Sequence, residues 1–114
     1  MKETKFDFKV NDKEYQMIFN LNVMQEIQEE YGTVAAWGEL TDGKSGEVNA
    51  KALIFGLTAM INEAIDMKNE ETGSTDEFLG HKKVARLVSE LGIQKATEQL
   101  NNAIVESTNS DEKN

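Results

Sequence analysis

The chain has 114 residues, 39% apolar and 29% charged, with no cysteine and no proline, and its 12 basic and 21 acidic side chains leave a net charge of −9. A chain of this length makes one domain that buries roughly two-thirds of its unfolded surface, and the missing cysteines exclude disulfides, thiolate zinc sites and cysteine nucleophiles. The acidic balance opposes binding to nucleic acid or anionic lipid and favours solubility and basic protein partners.

The start, Met1-Lys2-Glu3-Thr4-Lys5, is charged and has no apolar segment of the signal-peptide kind. A cytoplasmic protein is therefore expected. Lys5 to Val10 then alternates, with Phe6, Phe8 and Val10 on one side, which is the period of a half-buried strand. Asn11-Asp12-Lys13 is turn chemistry. A second alternating run over 14–19 puts Tyr15, Met17 and Phe19 on one face, with Ile18 off pattern. The two runs form a β-hairpin over 5–19, which needs a partner for its aromatic face.

A helix is expected over 22–31, with Asn22 as N-cap, Gln25 completing a capping box and Gly32 as the terminating glycine. Val23, Met24, Ile27 and Tyr31 follow helical spacing, and Glu26, Glu29 and Glu30 read as its wet side. A short helical turn over 33–40 carries Trp37, and 41–47 is loop by composition. Asn49 caps the longest helix, 50–67, whose apolar residues cover most of its circumference, as in a central buried helix. Gly56 in its middle costs about 1 kcal/mol relative to alanine and is read as a point of close approach. A polar loop over 68–75 follows. Helix 81–91 has Val84, Leu87, Val88 and Leu91 at the spacing of one stripe. Gly92 ends it, helix 93–106 follows with Ile93, Ala96, Leu100, Ala103 and Ile104 on one face, and 108–114 reads as a disordered polar tail. The expected fold is α+β and helix-dominant: one globular domain over 1–107, with the hairpin packed on three to four helices. The longest apolar stretch, 50–65, is too short and too interrupted to span a bilayer.

Four constellations bear on chemistry. Gly38-Glu39-Leu40-Thr41-Asp42-Gly43-Lys44-Ser45 matches the phosphate-loop pattern G-x-x-x-x-G-K-[ST]. Its context is wrong: no buried strand precedes it, Gly46 interrupts the helix that should follow, and Glu39 and Asp42 place negative charge beside it. It reads as a glycine-rich surface loop. His81, the single histidine, sits at a helix start without an orienting partner, so it reads as solvent-facing rather than as an acid or base. Glu63, Asp66, Glu70 and Glu71 could form a hard-cation site, but they miss the calcium-loop spacing and read as a solvated helix end. Lys82, Lys83 and Arg86 lack the interleaved aromatics of a nucleic-acid surface. No catalytic residue, metal ligand or cofactor site is assigned. Trp37, Phe78 and Leu79 lie outside the regular stripes and are the candidate partner-binding residues, with closure of the core as the competing role.

The order of elements resembles the tail assembly chaperones of long-tailed phages and prophages of Gram-positive bacteria. The resemblance is carried by F-D-F-K-V-N-D-K-E-Y-Q-M-I-F, N-V-M-Q-E-I-Q-E-E-Y-G, A-L-I-F-G-L-T-A-M-I-N-E-A-I and V-A-R-L-V-S-E-L-G, and covers 5–106. It implies a non-enzymatic protein that holds the tape-measure protein soluble before the tail tube polymerises, recruits tail tube subunits and can self-associate. It supplies no catalytic residues. The alternative is a structural virion protein such as a head–tail connector subunit. Nucleic acid and membrane are not expected partners.

Overall fold

The computed structural model describes residues 5–44 and 46–112. The charged residues 1–4, Ser45 of the phosphate-loop pattern and the last two residues of the expected tail lie outside the described residues. The elements run β1 (Lys5–Val10), β2 (Lys13–Ile18), α1 (Leu21–Tyr31), α2 (Val34–Thr41), α3 (Ala50–Thr72), α4 (His81–Leu91) and α5 (Ile93–Glu112). This is the helix-dominant α+β arrangement expected from the sequence.

The hairpin is antiparallel, with Phe6 opposite Met17, Phe8 opposite Tyr15 and Val10 opposite Lys13. Asn11 takes the left-handed conformation at φ +56°, which asparagine tolerates better than most residues. Phe8, Val10 and Met17 are fully buried, so the alternation reads out as one inward face. Ile18 breaks the alternation and is buried as well. Met17, Ile18, Phe19 and Asn20 are buried in succession because the chain enters the interior before α1 begins. On the outer edge of β1, the Lys9 amide donates to Gln99 Oε1 (2.9 Å) and Gln99 Nε2 donates to the Lys9 carbonyl (3.0 Å). One side-chain amide on α5 thus stands in for a neighbouring strand at Lys9 and satisfies the backbone there.

The N-cap of α1 differs from expectation. Asn20, not Asn22, accepts from the Val23 amide at 3.2 Å, and Asn22 lies inside the helix. Asn20 is buried, so both ends of its amide need partners. Its Nδ2 donates to Glu63 Oε2 at 2.7 Å, and Asn22 Nδ2 donates to the same oxygen at 3.0 Å. Thr33 caps α2 by accepting from Ala36, and Asn49 caps α3 by accepting from Ala52. Gly32 ends α1 as expected, at φ +89° with its amide on the Gln28 carbonyl.

Helix α3 runs 23 residues, to Thr72 rather than to residue 67. Lys68 to Thr72 is polar but contains no helix breaker, and the first stop is Gly73 at φ +73°. Helix α5 likewise runs past 106 to Glu112, through much of the segment expected as a tail. The sign of its longer inward face is the series Ala96, Leu100, Ala103 and Ser107, all buried at helical spacing. Ile93, placed on that face from sequence, is 44% exposed instead; the inward face starts one turn later, at Ala96.

Helix α3 lies at the centre. Ala52, Leu53, Leu57, Met60 and Ile61 are buried in one cluster with Phe8, Met17, Val23, Ile27, Val84, Leu87 and Leu100. Trp37 joins it from α2. Its ring lies so close to the α3 backbone that a Cβ on Gly56 would come within 2.3 Å of Cζ2. The indole Nε1 donates to the Ala52 carbonyl at 2.9 Å. Gly56 is therefore the point of close approach, and its low helix propensity is offset by the packing it permits. Among the described residues no helix is long and apolar enough to cross a membrane.

Candidate functional site

The segment between α3 and α4, 73–80, has no regular secondary structure, yet it is fixed along α3 at two points. Asn69 Nδ2 donates to the Asp76 carbonyl (3.1 Å), and the Asp76 amide donates to Asn69 Oδ1 (3.1 Å). Asn62 Nδ2 donates to the Leu79 carbonyl (2.9 Å), and the Leu79 amide donates to Asn62 Oδ1 (2.8 Å). Each asparagine pairs with one residue of the strap as a neighbouring strand would. The spacing matches: seven residues of helix advance about 10.5 Å and three extended residues about 10 Å. An ion pair between Lys68 and Asp76 at 2.9 Å adds an exposed tie, of small energetic weight.

This strap fixes two candidate binding residues differently. Leu79 is half-buried and packs against the core. Phe78, its neighbour, is 57% exposed. Beside Phe78 lies a cleft of about 240 Å³, whose walls include Phe55 of α3, His81 at the start of α4, and the carboxylates of Glu26, Glu63 and Asp66. The Phe55 and His81 rings stand 6.1 Å apart, and Tyr31 meets Phe55 edge-on at 5.5 Å. Burial pushes the Glu26 carboxyl above the usual glutamate range, with the nearby charges of Glu63 and then Glu29 adding to it. Among the described residues no lysine or arginine lines the cleft.

The third candidate, Trp37, is 1% exposed. It lies in the core, where the competing role of core closure would put it. The structure thus brings Phe78 and Leu79 together and places Trp37 in the core. Glu26, Phe55 and His81 join Phe78 at the cleft, although in the sequence they read as wet face, core and solvent-facing residue. The pair Asn62 and Asn69, one helical heptad apart, marks where the strap is fastened, but no spacing along the chain marks Glu26, Phe55 and His81.

The other constellations resolve locally. Gly38 to Thr41 of the phosphate-loop pattern belong to α2, and two of the loop amides are already engaged: the Asp42 amide donates to the Gly38 carbonyl and the Lys44 amide to Asp42 Oδ1. A broader groove of about 610 Å³ runs between this loop and α5. It is larger than the aromatic cleft but has no aromatic wall. Of the four acidic residues weighed as a cation site, Glu63 accepts from two asparagines, Glu71 lies 3.8 Å from Lys5, and Asp66 faces the cleft. Among the described residues no group of three or more side chains could hold a metal. Lys82, Lys83 and Arg86 are exposed on α4.

Comparisons with protein families, with curated proteins and with solved structures each return no match.

Proposed function

We propose that this protein is a cytoplasmic, non-enzymatic assembly chaperone of a phage or prophage tail, binding the tape-measure protein and tail tube subunits during tail morphogenesis. The observation that carries a binding role is Phe78, an aromatic side chain 57% exposed on a strap that two asparagines hold to the central helix. Large exposed aromatics held in place lose little freedom on docking, which is why such residues anchor interfaces. The narrower assignment is supported by the resemblance over 5–106 and by its physical sense. A tape-measure protein is a long amphipathic helix that aggregates alone, and a compact acidic protein that covers its apolar face keeps the complex in solution.

The test is co-expression with the longest helical open reading frame downstream of this one, followed by purification of whatever stays soluble. The partner is expected to be soluble only in the presence of this chain, and Phe78→Ala is expected to reduce recovery of the complex with an unchanged melting temperature of the free chain. A partner that stays insoluble, together with this chain found in purified particles, would move the assignment to the structural virion component.

A further inference from the structure

We propose that the cleft beside Phe78 receives a basic side chain, an arginine by preference, from the protein partner; this rests on the reading of the chain as a protein-binding module. The cleft is concave and has two chemistries. Phe55, Phe78 and His81 supply ring surface, and Glu26, Glu63 and Asp66 supply carboxylates around it. An apolar occupant would satisfy the rings but leave the carboxylates facing a drying surface, which is costly. A simple cation would satisfy the carboxylates and leave the rings unused. A guanidinium on an aliphatic stem matches both, since its plane stacks on aromatic faces and its N–H groups bond carboxylates in pairs.

Three further observations favour this occupant. Among the described residues no lysine or arginine of this chain lines the cleft to neutralise its three carboxylates, and His81 is the one basic side chain in its wall. Glu63 Oε2 is already held by Asn20 and Asn22, so that carboxylate is positioned before any partner arrives. The whole chain carries 21 acidic against 12 basic residues, so long-range attraction acts in the same direction.

The experiment is a solution NMR titration of the full chain with N-acetyl-arginine methylamide, beside the neutral isostere N-acetyl-citrulline methylamide. Saturable shifts confined to Phe55, Phe78, His81 and their neighbours are expected, with millimolar affinity for the arginine probe and roughly fivefold or weaker affinity for citrulline. The double variant Glu26→Gln, Asp66→Asn is expected to bring the arginine affinity down to that of citrulline while the remaining spectrum stays that of the wild type. Equal shifts from both probes would make the cleft an apolar docking site and overturn the inference, as would shifts that do not saturate or that fall elsewhere. The co-expression assay separates the two readings. If the double variant recovers the tape-measure complex with wild-type yield and salt sensitivity, the inference fails and the chaperone reading stands. If the arginine probe binds as expected while no tape-measure protein is ever recovered, the chaperone reading fails and the basic-side-chain receptor stands.

Discussion

Trp37 and Phe78 are both large aromatics outside the regular apolar stripes, and the fold treats them in opposite ways. Trp37 lies in a slot cut into α3 at Gly56, where its ring takes the space of a missing side chain and its N–H meets a helix carbonyl. Phe78 lies on a strap whose backbone, rather than its aromatic ring, is bonded to the same helix. One residue therefore spends its surface on stability. The other is held out, more than half exposed, by neighbours that do the holding. What decides between them is not hydrophobicity but whether the facing helix offers a gap: glycine opposite Trp37, paired asparagines opposite the strap.

The comparison breaks most visibly at the slot. Gly56→Ala is expected to destabilise the protein by about 1–3 kcal/mol, because the new methyl overlaps a ring that is packed on every side. In the Trp37→Ala background the same change is expected to reverse sign and stabilise by up to about 1 kcal/mol, the ordinary helix preference of alanine over glycine. Denaturant unfolding of the double-mutant cycle measures this coupling; additive effects would mean that the ring and the glycine are not in contact.

The strap gives the next effect. Asn62→Ala removes a side chain that satisfies both the amide and the carbonyl of Leu79, so a loss of about 1–3 kcal/mol is expected. The loss should be local. Hydrogen exchange at the Leu79 amide should accelerate far more than exchange in α3 or α5. A uniform acceleration across the chain would show that the strap is part of the global core instead of a piece fastened to it.

The smallest effect is electrostatic. The Glu26 carboxyl is pushed up by burial and by Glu63 and Glu29, so the folded state holds its proton more tightly than the unfolded chain does. Its contribution to stability is fully present below the ordinary glutamate range and is lost as pH rises through the raised value. Glu26→Gln is expected to raise stability slightly near pH 7 and to flatten this part of the pH profile, with the size held down by the residue's exposure. Melting curves of both proteins at several pH values check it; a variant less stable at neutral pH would mean that the carboxylate is stabilised by its surroundings.

Most of the fold was legible because most of it follows local periodicity. The alternation of Phe6, Phe8 and Val10, the stripe Val84, Leu87 and Val88, and the caps Asn49 and Gly32 need only nearest neighbours along the chain. The errors fall where a tertiary partner chose between local options. Asn20 became the cap because Glu63, distant in sequence, bonds the other end of its amide. Ser107 turned inward because α5 continues past the end set by its last large apolar residues.

The candidate site was less legible. The sequence by itself marked Phe78 and Leu79 as unusual and Gly56 as a place of close approach, and it determined the hairpin, the central apolar helix and the acidic surface. It could not sort Trp37 from Phe78, because residue type is the same signal for both. Nor could it gather Glu26, Phe55 and His81, which come from three helices and carry no common spacing. Only the tertiary structure decided those, because a cleft is made by the docking of elements on α3, and a docking geometry depends on distances across the fold that no periodicity along the chain records.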